Sequence, residues 1–177
     1  MSVRKLKVII GGSIILNIIL AGFVFSYNQE NNAMKTGGVV QYASQQEEVL
    51  FELERALENQ DVKEEFVKAL TSAYSMIYHN YLLTRNYTTI GEQLSFPENI
   101  NHLNSPWTSR AVGHALFEST TDRLDTEAIQ ELEQYTSYVS QIVDILDYRN
   151  RIDGHRLNEQ LQVLEETSDL IESFNLD

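Results

Sequence analysis

From Val8 to Phe25 the chain runs eighteen residues without a charge, VIIGGSIILNIILAGFVF, and only Ser13 and Asn17 are polar. As a helix this stretch spans roughly 27 Å, close to the hydrocarbon thickness of a bilayer, so a single pass fits. Arg4, Lys5 and Lys7 precede the run, and the first charges after it are Glu30 and Lys35. The positive-inside bias then puts the N-terminus in the cytoplasm and residues from about 27 onward outside. Residues 1–26 are therefore read as a basic leader and transmembrane signal anchor, giving a single-pass protein of the cell membrane.

The competing expectation is a cleaved signal peptide, which would leave a secreted domain. A signal-peptide core is usually about 7 to 15 residues long and ends at a small-x-small site. Here the run is longer, and Val24-Phe25-Ser26 abuts it with no polar spacer. Leu20-Ala21-Gly22-Phe23 resembles the lipobox of bacterial lipoproteins, with Phe23 where the lipidated cysteine must stand. Without a thiol no thioether forms.

Charge divides the chain at the same place. The three charges before residue 28 are basic, which leaves ten basic against 26 acidic residues, or −16, for the remainder. The chain has no cysteine, so disulfide staples are excluded and any outer domain must be held by its own core. Residues 27–177 are long enough to build one.

Residues 27–43 read as a polar tether, glycine-bearing and without a period. Beyond it, residues 44–177 read as an extracytoplasmic helical domain. Ser44 and Glu47 have capping-box spacing, and Val49, Leu50, Leu53, Ala56 and Leu57 recur at helical spacing, predicting a helix over 45–59. Asp61 with Glu64 restarts the pattern. Val62, Phe66, Leu70, Ala73, Ile77 and Tyr81 then predict a helix over 62–84, with a stripe wide enough to mark the centre of the domain. Residues 85–105 form a long, apolar connection expected to pack over the bundle.

Ser105-Pro106 predicts the start of a shorter helix to about 118. Asp125 caps the next, in which Leu132, Thr136, Val139, Val143 and Leu146 step by four and three. After the Asp153-Gly154 turn, Leu157, Leu161, Leu164, Ser168 and Ile171 repeat those steps, as in an antiparallel hairpin with a coiled-coil-like seam. The fold class is thus all-α: a transmembrane helix followed by a bundle of four main helices and one shorter one.

The acids suggest no metal chemistry. Glu47-Glu48, Glu64-Glu65 and Glu165-Glu166 are neighbours pointing about 100° apart on a helix, so neither member of a pair converges with the other on one ion. No histidine follows a glutamate by three residues, and His79, His102, His114 and His155 include no i, i+4 pair. His114 and Glu118 share a helix face, which is half a site at best. Glycine-rich phosphate loops, a Gly-x-Ser-x-Gly elbow and a cysteine nucleophile are all missing from the sequence. The chain is read as non-catalytic, with no cofactor. A body at −16 repels a phosphate backbone, so nucleic acid is not expected as a partner.

The interaction surface is expected at Tyr74, Tyr78 and Tyr81 on one helix face, with Phe96 in the long connection and Trp107 in the short helix. Tyrosine combines an apolar ring with a polar tip, which suits a recognition surface. The partners expected are the membrane, through residues 8–25, and another envelope or membrane protein or a second copy of the chain. The layout also resembles the four-helix-bundle sensor domains of bacterial chemoreceptors, a likeness of architecture that shares no motif. It implies a ligand-sensing outer bundle, which here would have to signal through a separate partner.

Overall fold

A computed structural model describes the backbone of residues 3–89, 96–105, 109–120 and 125–174; within the first of these ranges it describes the side chains of residues 13 and 16–85. The described residues are all-helical. The elements are α1 (Val3–Glu58), α2 (Lys63–Thr89), α3 (Glu98–Leu103), α4 (Arg110–Thr120), α5 (Thr126–Leu146), a π-helical turn (Tyr148–Ile152) and α6 (Leu157–Glu172). By its contacts the chain divides into two compact units, residues 1–35 and 36–177.

In the first unit the described side chains of Leu16, Ile18, Ile19, Leu20, Phe23, Val24, Phe25 and Tyr27 are all exposed. Among the described residues no helix is long and apolar enough to cross a membrane. The uncharged window of the sequence includes positions 8–12, 14 and 15, whose side chains lie outside the described set.

The second unit has a continuous core. Along α1 the buried positions are Val39, Tyr42, Gln46, Val49, Leu53 and Ala56, a 3-4-3-4-3 progression. α2 buries Phe66, Leu70, Ala73, Ile77, Asn80 and Thr84; α5 buries Ala128, Leu132, Tyr135, Val139, Ile142 and Leu146; α6 buries Gln160, Leu164, Thr167 and Ile171. All three step by four and three, the spacing that keeps one stripe of a helix facing its neighbours. Each of the four seams carries at least one buried polar residue.

Several elements differ from the sequence expectation. Residues 27–43, which read as a polar tether, are helical, and Val39, Tyr42 and Ala43 are fully buried. The periodic stripe starts at Val39, and Gln46, a polar residue on it, hides the continuity. Ser44 therefore sits inside a helix and caps nothing. In α5 Leu132, Thr136, Val139 and Leu146 are buried as the spacing predicts, whereas Val143 is half-buried and Tyr135 and Ile142 join the buried side. In α6 Gln160 and Thr167 are buried, and Leu157 and Leu161 are only half-covered.

The connections have identifiable causes. Arg55 near the end of α1 pairs with Glu52 at 3.1 Å and with Glu65 on α2 at 2.9 Å, tying the two helices at their junction. The Asp125 carboxylate accepts from the Glu127 N–H at 3.2 Å as the N-cap of α5. α5 ends where Asp147 adopts the left-handed conformation, φ 34°, and Asn150 donates to both Asp147 carboxylate oxygens. Asp153 N–H then bonds the Tyr148 carbonyl at 2.7 Å, and Gly154 takes φ 72°, which a residue with a Cβ adopts only under strain. Glu159 accepts from the Arg156 N–H at 3.0 Å to start α6, and this bond holds its carboxyl below the usual range. α5 and α6 pack together, with Tyr138 stacked on Phe174 at 4.4 Å between ring centroids.

Candidate interaction surface

The outer face of α2 is formed by the residues that its buried stripe leaves outside: Lys68, Thr71, Tyr74, Ser75, Tyr78, His79, Leu82 and Arg85, all exposed. Tyr74 is 40% exposed, Tyr78 51% and Leu82 36%, large apolar or aromatic groups left in water at steps of four. Tyr81 is half-buried; its ring centroid lies 6.5 Å from that of Tyr78, and the Arg85 guanidinium sits 5.8 Å from the Tyr81 centroid. Such a cation lies against the negative face of the ring and fixes its position.

α4 borders this face. α2 and α4 pack against one another, and a Cβ built at Gly113 would lie 3.9 Å from Tyr74 Cε2. Phe117, one turn from Gly113 on α4, is 66% exposed. Tyr74, Tyr78, Leu82 and Phe117 thus place apolar surface on two adjoining helices.

Charge sets the α2 face apart from the rest of the molecule. No carboxylate occurs between Glu65 and Glu92 in a chain that holds 26 Asp and Glu. The exposed residues of the other main helices include Glu48, Glu54 and Glu58 on α1, Glu127, Glu133 and Asp144 on α5, and Glu159, Glu165, Asp169 and Glu172 on α6. At a Debye length of about 8 Å the field met by an approaching surface is set by the near face more than by the net charge. On α2 that near face carries Lys68, His79 and Arg85.

The five residues singled out in the sequence separate into three groups. Tyr74, Tyr78 and Tyr81 lie together on or beside the α2 face. Phe96 does not: it is 2% exposed and meets Tyr42 edge-on at 5.4 Å, so it belongs to the core and presents no surface. Trp107 lies outside the described residues. Leu82 and Phe117 were missed, although the long acid-free interval was visible in the sequence.

The histidines have the following surroundings. His114 pairs with Glu131 on α5 at 3.0 Å, and Glu118 on its own helix adds to the negative field around it. The Glu131 carboxylate raises the His114 pKa above its ordinary value. His155 approaches Glu159 at 3.4 Å, and His79 Nε2 lies 3.4 Å from Gln41 Nε2. Among the described residues no three His, Asp or Glu side chains converge as a metal site would require. A depression of about 160 Å³ on the α5–α6 turn is lined by Arg151, His155 and Glu159 among others. Arg151 is already committed there, to Glu166 and to the Ile145 carbonyl.

No family model, curated protein or solved structure matches the chain.

Proposed function

We propose that the chain is a non-catalytic interaction protein, held at the membrane by its N-terminal leader, whose extracytoplasmic helical domain docks a partner protein through the outer face of α2. The observation that carries this reading is the coincidence of exposed Tyr74, Tyr78 and Leu82 with the one main helix whose outer face lacks carboxylates beyond its first turn. Interface cores are enriched in tyrosine and depleted of acids, and the outer faces of α1, α5 and α6 carry exposed carboxylates. Lys68, His79 and Arg85 around the stripe favour a partner whose apolar patch is bordered by carboxylates. Membrane attachment rests on the uncharged run from Val8 to Phe25 behind Arg4, Lys5 and Lys7.

The test is a photo-crosslinking amino acid placed at position 78 of the full chain in its native membranes, with position 133 on α5 as the comparison. The reading expects a discrete adduct from position 78 that disappears on Leu82→Asp. An adduct of twice the chain's mass would identify the partner as a second copy. Crosslinking from position 133 alone, or from neither position, overturns the assignment of the face. Extraction of the chain by alkaline carbonate would separately overturn the anchor.

A further inference from the structure

Asn17 stands at the middle of the uncharged run, nine residues after Val8 and eight before Phe25. On a helix that is about 12–14 Å from either end of the run, near the centre of a hydrocarbon layer about 30 Å thick. Ser13 and Ala21 lie about one turn to either side on the same face of α1. All three side chains are exposed in the first unit.

On the reading of Val8 to Phe25 as a membrane span, on which this inference rests, the Asn17 carboxamide carries two N–H donors and a carbonyl acceptor into a layer that holds no water. The N–H groups of its own helix are engaged in the backbone ladder, so the side-chain oxygen finds no backbone donor there. The side chain is also too short to carry its polar end to the headgroups, as a lysine or arginine would. An unpaired amide is costly in hydrocarbon, and a polar group on another helix at the same depth relieves that cost.

A second copy of the chain meets this requirement without further condition. Arg4, Lys5 and Lys7 orient every copy alike, which brings each Asn17 to the same depth. The carboxamide is self-complementary, so two of them can exchange N–H···O bonds. We propose that the N-terminal helices of two copies pair in parallel within the membrane through Asn17. Ser13 and Ala21 are small enough to let the two backbones approach at that face. Ile19, two residues from Asn17, points to the opposite side and faces lipid.

The test is cysteine crosslinking, since the chain has no cysteine and one introduced thiol reports one position. Full chains carrying Ala21→Cys or Ile19→Cys are oxidised with iodine in their native membranes. Ala21→Cys is expected to give an adduct of twice the chain's mass, and Ile19→Cys little. Asn17→Leu should weaken the association seen at position 21 about 5- to 30-fold, whereas Asn17→Gln, which keeps the carboxamide, should retain it. Leu82→Asp on α2 should leave it unchanged. Equal adducts from both positions, an adduct of another mass, or a dimer that survives Asn17→Leu or is lost with Leu82→Asp overturns the proposal. Release of the chain from the same membranes by alkaline carbonate brings down the anchor and the pairing together. A retained chain that gives no dimer overturns the pairing and leaves the anchor standing.

Discussion

The side-chain nitrogen of Gln46 donates to Asn104 Oδ1 at 3.0 Å, joining residues 58 apart in sequence inside a core from which both are excluded from solvent. The bond fixes the axial position of α1 against the end of α3. Apolar contacts alone would fix it less sharply, since one seam position resembles the next.

Gln46→Ala should therefore destabilise the domain by about 1–3 kcal/mol, because it removes the amide donor to the buried Asn104 Oδ1. Replacing both partners, Gln46→Leu with Asn104→Leu, should recover much of the loss. Urea titration of Gln46→Ala, the two leucine single variants and the leucine double variant measures it; a double variant no more stable than the summed losses of the leucine singles would show that the pair is not coupled in this way.

Burial raises the pKa of both Tyr42 and Tyr135 above the ordinary tyrosine value. The neutral phenol is thus the form favoured by folding. Its contribution to stability is fully present below about pH 10, the unfolded value, and is lost as pH rises beyond it. Denaturant midpoints should fall above that pH in the parent chain, and more gently in Tyr42→Phe. An equally steep fall in the variant would assign the alkaline loss to other groups.

His114 has its pKa raised chiefly by the hydrogen bond to Glu131. Stability from this pair is present at low pH, where the imidazole is charged in both states, and is lost as pH climbs through the folded value. The His114 side chain is 36% exposed, so the effect on stability is small and the better readout is the titration itself. Its ring protons should titrate above pH 6.5, and Glu131→Gln should bring the midpoint down. An unchanged midpoint would mean that the α4–α5 pairing does not form in solution.

Core and surface aromatics should part company under truncation. Phe66→Ala and Phe96→Ala remove side chains 0% and 2% exposed and should each cost about 3–5 kcal/mol. Tyr78→Ala, on an exposed face, should stay within about 0.5 kcal/mol of the parent while abolishing the crosslink from its neighbours on α2. A large loss of stability in Tyr78→Ala would place that ring in the fold and not at a docking surface.

The helical class, the Asp125 cap, the Asp153-Gly154 turn and the adjacency of α5 and α6 were legible in the sequence, because each depends on local chemistry or on an uninterrupted apolar period. The seams themselves were less so. Gln46, Asn80, Tyr135 and Gln160 occupy inward positions that a hydropathy pattern assigns to the surface, which left Tyr135 and Gln160 out of the expected seams and hid the stretch of α1 from Val39 to Ala43. The tyrosines of α2 were found through their spacing. Phe96 was misplaced because nothing local distinguishes an apolar residue that folds back on Tyr42 from one that stays in solvent.

Gly113 has room for a side chain, since a methyl there would meet Tyr74 at an ordinary contact distance of 3.9 Å. Its lack of one lowers the intrinsic helicity of α4 by about 1 kcal/mol relative to alanine. The buried residues of α4 are Ala111, Val112, Ala115 and Ser119, small groups that return little when they dock. Amide exchange in α4 should therefore be faster than in α2 or α5, which hydrogen-exchange measurements on the full chain would check. Gly113→Ala should then slow that exchange and bring a methyl against the edge of Tyr74, so the margin of the aromatic face can be altered from a neighbouring helix.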